Sequence, residues 1–304
     1  MPSAPNLLLL IDWDGTITNS DTISLLAPTE QELLPNKKPF EYYQDAYLRN
    51  YEAFKKSFGE IDTPERLIEY IVEQGRAEYG PLRILADDGL FSGTTMEQRC
   101  QRIKNIEFRS GWKAMSEWMT DAADKKLIEA HIVSVNWSSR FIFDGLLYAR
   151  GYDVGLPYGA LCKLGWKSIQ ANELEWDEQT GKCTGQIVGP DNTDMMVSCT
   201  DKMKRVELLA SSCTDSLHVY IGDAMTDWLC LQWADVGILM SPSESFLQTL
   251  ERIGLNSLLC TPSEWLKLAA AERKMSVLLV QTWSEVQALL HTLLEELRTD
   301  TQIK

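Results

Sequence analysis

Histidine is scarce in this chain: three residues in 304, at positions 131, 218 and 291. So few, set so far apart, make a zinc centre a poor reading, and each reads as a core or surface side chain. Cysteine occurs seven times but never as a Cys-x-x-Cys pair. An odd, scattered set fits reduced, mostly structural thiols and a cytoplasmic location. No stretch approaches the roughly 20 apolar residues of a membrane helix. The run 7–11 lacks a basic flank and ends in Asp12, so it does not read as a secretory leader. Basic residues are outnumbered too, 29 Lys and Arg against 44 Asp and Glu, for a net charge of −15. That balance argues against non-specific binding to nucleic acid or to an anionic membrane.

What the chain does have is a short apolar run leading into acids. Leu7-Leu8-Leu9-Leu10-Ile11 reads as a buried strand, and Asp12-Trp13-Asp14-Gly15-Thr16 follows directly. Asp12 and Asp14 stand at alternate positions, which point the same way on an extended chain. Two like charges at the mouth of a core strand are costly unless a cation or a proton sits between them.

Beyond about residue 108, short apolar runs alternate with helical periods. Strands are expected at 131–135, 217–221, 236–240, 257–260 and 276–281, with an extended run over 168–176. Helices are expected at 113–123, 138–150, 201–212, 226–234 and 284–297. Residues 174–188 look like a hairpin, with Gly181 suited to a positive φ in its turn. The pattern is that of an α/β fold, a Rossmann-like, doubly wound parallel sheet covered on both faces. Residues 20–107 instead show only helical periods, at 39–58, 64–79 and 95–105. The expected organisation is a sheet domain formed by 1–19 and 108–304, interrupted by an all-helical insert over 20–107. The first few and last few residues read as disordered. Ligands of such sheets bind beyond the carboxyl ends of the strands, where Asp12, Ser134 and Asp223 stand.

Four pieces follow in order: Asp12-x-Asp14-Gly15-Thr16; Ile132-Val133-Ser134-Val135-Asn136; Lys202 at a helix start; and Val219-Tyr220-Ile221-Gly222-Asp223, with Asp227 four residues on. Each alone has a bland explanation. An Asp-x-Asp is common, a strand-end serine turns or caps, and a lysine at a helix start is usually solvated. Together and in this order they resemble the haloacid dehalogenase superfamily, in its phosphatase branch. The helical insert stands where that family carries a type 1 cap. Ala171-Asn172-Glu173-Leu174 and Gly181-Lys182-Cys183-Thr184-Gly185 are similar to its phosphoserine-phosphatase-like subgroup. The runs 133–138 and 220–231 resemble the phosphatase domain of plant thiamine monophosphate phosphatases and fungal relatives.

The resemblance implies a Mg²⁺-dependent phosphatase acting through an aspartyl-phosphate. Asp12 would be the nucleophile and Asp14 the acid and base. The metal would take Asp12, the main-chain carbonyl of Asp14 and Asp223. Asp227 would orient a metal-bound water, or else cap the helix behind it. Ser134, Asn136 and Lys202 would hold the phosphate, with Lys202 also pairing with Asp12 and Lys204 its rival. Trp137 would stack on a substrate ring or pack under the insert. A phosphomutase or phosphotransferase would keep the same motifs, and a non-catalytic binding protein the same fold. Asp14 argues against a dehalogenase, which lacks the second acid. A phosphonatase would need an amine from the insert, and Lys37, Lys38, Lys55 and Lys56 give no specific signal. The expected partner is a small phosphomonoester, with thiamine monophosphate one candidate.

Overall fold

A computed structural model of the chain describes residues 6–302, so the termini expected to be disordered fall largely outside it. The strands are β1 (Leu7–Ile11), β2 (Ile128–Val133), β3 (Ser168–Gln170), β4 (Glu173–Asp177), β5 (Lys182–Val188), β6 (Leu217–Gly222), β7 (Val236–Met240), β8 (Leu259–Cys260) and β9 (Val277–Val280). Seven form one sheet in the order β3-β2-β1-β6-β7-β9-β8, every pair parallel, while β4 and β5 form a separate antiparallel hairpin. From β1 the chain winds outward to β2 and β3, then returns to β6 on the other side. The reversal lies between β1 and β6, and that is where such sheets open a crevice at their carboxyl ends.

β1 is buried on both faces, as an inner strand of a parallel sheet must be. Leu7, Leu9 and Ile11 pack into one apolar cluster with Met115, Phe141 and Leu290. Leu8 and Leu10 pack into the other with Val206, Trp228 and Leu250. The helices are α1 (Ile23–Leu26), α2 (Phe40–Phe58), α3 (Pro64–Asp88), α4 (Met96–Ile103), α5 (Trp112–Asp124), α6 (Ser139–Ala149), α7 (Cys199–Ala210), α8 (Trp228–Trp233), α9 (Glu244–Arg252), α10 (Pro262–Trp265), α11 (Ala270–Met275) and α12 (Trp283–Gln302). Among the described residues no helix is long and apolar enough to cross a membrane.

Helices α1 to α4 lie between β1 and β2 in the chain. The path leaves and returns through one contact: Thr18 bridges antiparallel to Phe108, Asn19 N donates to Glu107 O at 2.9 Å, and Arg109 N to Ile17 O at 3.0 Å. The sequence suggested that the second insert helix stops at Tyr79, before Gly80-Pro81. It continues instead to Asp88, with Pro81 inside it. Proline leaves the carbonyl four residues back without its helical donor. Here that carbonyl, Ala77 O, accepts from Asn50 Nδ2 of α2 at 2.7 Å, so a neighbouring helix repairs the break.

The hairpin β4–β5 has its turn at residues 178–181, and Gly181 adopts φ +67° as expected. Its packing was not foreseen. Cys183 N donates to Thr94 O, and Gly93 N to Cys183 O, at 3.0 and 2.9 Å. Leu174, Cys183 and Ile187 join Leu85, Leu90 and Phe91 of the insert in one apolar cluster. A segment assigned to the sheet domain by its order in the chain therefore clasps the insert.

Candidate active site

The register of the sheet brings the motifs together. Ile11 lies beside Ile132 on one side and Ile221 on the other. Asp12, Ser134 and Asp223 follow one or two residues later, all at the same edge. Asp12 N donates to Ile221 O at 2.9 Å, which extends the pairing up to the carboxylate.

Lys202 arrives from the first turn of α7, whose start is fixed by a reciprocal cap. The Ser198 hydroxyl accepts from Asp201 N, and the Asp201 carboxylate accepts from Ser198 N, both at 3.2 Å. Lys202 Nζ then lies 2.9 Å from Asp12 Oδ1 and 2.8 Å from Asp227 Oδ1, fully buried. Lys204 is exposed and pairs with Asp201 at 3.2 Å, so Lys202 is the lysine at Asp12. Burial alone would lower the Lys202 ammonium, but Asp12 and Asp227 outweigh it and raise it above its ordinary value.

Two glycines make room for the acids. Gly15 has φ +72°, and a Cβ there would sit 2.7 Å from the Asp223 Cγ. A Cβ on Gly222 would sit 2.6 Å from the Asp227 Cβ. Asp223 Oδ1 accepts from Thr16 Oγ1 at 3.0 Å, and Arg109 caps the Gly15 carbonyl beneath. Asp227 Oδ1 accepts from Lys202 and from Tyr220 OH (2.7 Å), while its Oδ2 accepts from the backbone amides of Asp223 and Ala224, both at 3.2 Å. Asp227 thus braces the turn carrying Asp223.

Asp14 faces away from this group. Its Oδ1 accepts from Thr22 N and Thr22 Oγ1, each at 2.6 Å, and its Oδ2 from Asn136 Nδ2 at 2.8 Å. Burial, with Asp21 nearby, raises its carboxyl to about 6 against the pull of Thr22 and Asn136. Asn136, expected on the phosphate, is fully buried, and its Nδ2 donates to Asp14 Oδ2 and to Thr22 Oγ1. Ser134 is also buried, its Oγ accepting from Asn136 N at 3.2 Å. Trp137 meets Phe40 and Phe91 of the insert edge-on, at 6.0–6.3 Å. Thr16, Thr22, Tyr220 and Arg109 were not singled out from the sequence. Thr16 and Tyr220 carried a signal only as members of the first and fourth motifs.

The donor set suits a magnesium ion. Carboxylate oxygens of Asp12, Asp223 and Asp227 lie within 4.8 Å of one another. Three carboxylates against one ammonium leave this pocket a formal charge of −2. Burial, then the neighbouring acids, raises Asp12 well above the usual carboxylate range and Asp223 to about 7. Asp12 Oδ1 is buried, with the Lys202 ammonium 2.9 Å away. A hard divalent cation would meet both conditions: oxygen donors and missing positive charge.

No family model matches the chain. Its seven-stranded parallel sheet with helices on both faces is a Rossmann-like α/β fold. A solved cytosolic 5′-nucleotidase IIIB bound to cytidine superposes with TM-score 0.53, covering 98% of this chain and 88% of that one at 13% identity. In sequence the chain is 28% identical over 255 residues to a CTO1 family protein of Schizosaccharomyces pombe, spanning 81% of this chain and 86% of that protein. It is 21% identical to Cold tolerance protein 1 of Saccharomyces cerevisiae, spanning 93% and 97% of the two chains.

Proposed function

We propose that the chain is a Mg²⁺-dependent phosphatase of small phosphomonoesters. The observation that carries this reading is the contrast between the two acids of one motif. Asp12 lies against Lys202 and the acid cluster, whereas Asp14 is held apart from them by Thr22 and Asn136.

An oxygen of Asp12 attacks phosphorus, forming an aspartyl-phosphate as the ester P–O bond breaks. Asp14 gives its proton to the departing oxygen, then takes one from the water that attacks the phosphoryl group and frees Asp12. The Lys202 ammonium offsets charge on the transferring group and favours the ionised form of Asp12 against the burial that raises it. The Ser134 hydroxyl stands at the same strand edge to hold a phosphate oxygen. Mg²⁺, held by Asp12, Asp223 and the Asp14 carbonyl, would neutralise phosphoryl charge.

The test is phosphate release, with and without Mg²⁺, from 4-nitrophenyl phosphate and from thiamine monophosphate, pyridoxal phosphate, phosphoserine and sugar phosphates. Turnover that needs Mg²⁺ and vanishes in Asp12→Asn supports the reading. Wild-type inactivity across the panel, with Mg²⁺ binding retained, makes the chain a binding protein on a phosphatase fold. Thiamine monophosphate turned over no faster than 4-nitrophenyl phosphate removes it as the preferred substrate.

A further inference from the structure

A cavity of about 500 Å³ opens between the insert and the sheet. Val135 and Thr226, beside Ser134 and the Asp223 turn, form one side of it. Helices α2 and α3 form the other. The volume is in the range of sites for small organic ligands, and well above what a phosphate needs.

Its lining has a chemical bias. Phe40, Tyr43, Tyr47 and Trp137 supply aromatic surface, and Asp21 and Glu78 supply the only charges. None of the 16 described residues lining it is lysine, arginine or histidine. The nearby cations are engaged elsewhere: Lys37 donates to the Asp88 carbonyl, Lys38 pairs with the Asp88 carboxylate at 3.7 Å, and Lys202 belongs to Asp12 and Asp227. Glu78 accepts from Tyr47 OH and Gln74 Nε2, at 3.0 and 2.7 Å, both on Oε1. These are neutral donors and leave its charge unbalanced. An anion entering here would face two carboxylates, the exposed Asp21 and the half-buried Glu78, whereas a cation would face those carboxylates and several π faces.

Resting on the phosphatase reading, we propose that this cavity holds the leaving group of the phosphomonoester and selects a flat ring that is cationic or neutral, rejecting one with a carboxylate or second phosphate. Three esters sharing a two-carbon link test it: 2-(N-methylpyridinium-4-yl)ethyl, 2-phenylethyl and 2-(4-carboxyphenyl)ethyl phosphate. The expected order of kcat/KM is cation, neutral, anion, with about tenfold between steps. Equal values for the cationic and anionic esters, or a preference for the anion, overturn the proposal. Glu78→Gln keeps an acceptor for Tyr47 and Gln74, and is expected to shrink the cation-to-neutral ratio about fivefold. An unchanged ratio in Glu78→Gln combined with Asp21→Asn also overturns it. If neither these esters nor 4-nitrophenyl phosphate is hydrolysed, the phosphatase reading fails on its own. Calorimetric affinities of the three esters then decide for the cavity: cation tighter than anion supports the proposal, and equal affinities sink it.

Discussion

Asn136 Nδ2 donates to Asp14 Oδ2 across 2.8 Å, joining two residues 122 positions apart in the chain. The amide stabilises the charged form of Asp14 and so holds down a carboxyl that burial raises to about 6. Removing it in Asn136→Ala is expected to raise the Asp14 pKa by roughly one unit. Because the acid step needs the protonated form, the alkaline limb of the kcat/KM profile moves to higher pH. A profile that falls in height without moving would mean that Asn136 only fills space.

Lys202 and Lys204 sit two residues apart on α7 with opposite fates. Lys202→Met strips the ammonium from two buried carboxylates, Asp12 and Asp227, and is expected to cost about 3–5 kcal/mol in urea unfolding without metal at pH 7.5. Lys204→Met, at an exposed pair, is expected to stay within about 0.5 kcal/mol. Similar losses for both would remove Lys202 from its assigned place.

Asp223 binds its proton more tightly folded than unfolded, with a carboxyl raised from 3.8 to about 7. Its contribution to stability is therefore complete below pH 4 and is lost as pH rises toward 7. Metal-free protein is expected to melt at progressively lower temperature across that window. Mg²⁺ at a hundredfold excess over its Kd is expected to raise Tm at pH 7.5 by about 5 °C. Asp223→Asn should abolish the Mg²⁺ shift, and calorimetric scans with and without the ion check both halves.

Gly15 and Gly181 share a positive φ, but only Gly15 lies against an acid. Gly15→Ala is expected to push Asp223 aside and weaken Mg²⁺ binding at least tenfold, read by isothermal titration. Gly181→Ala, with open space around it, should cost about 1 kcal/mol of backbone strain and leave Mg²⁺ affinity intact.

The strand-end positions of Asp12, Ser134 and Asp223 were legible in the sequence because short apolar runs ending in polar residues mark where parallel strands stop. Lys202 was legible only through the family resemblance, since a lysine at a helix start is otherwise expected in solvent. The partners of Asp14 were not, because which way a side chain turns between Thr22 and Asn136 depends on segments 114 residues apart coming together. The continuation of α3 past Pro81 was equally hidden, since the donor that permits it comes from Asn50 on another helix.

Four of the five residues of β1 are leucine, and both faces of the strand meet apolar clusters. Sliding this strand by one residue would exchange one leucine for another almost everywhere along it. Most strands with two distinct faces penalise such a slip through the side chains it misplaces. Here the penalty falls on Asp12, which a slip would draw into hydrocarbon away from Lys202. The acid at the end of the strand therefore acts as a stop, fixing the alignment of an otherwise interchangeable ladder of leucines.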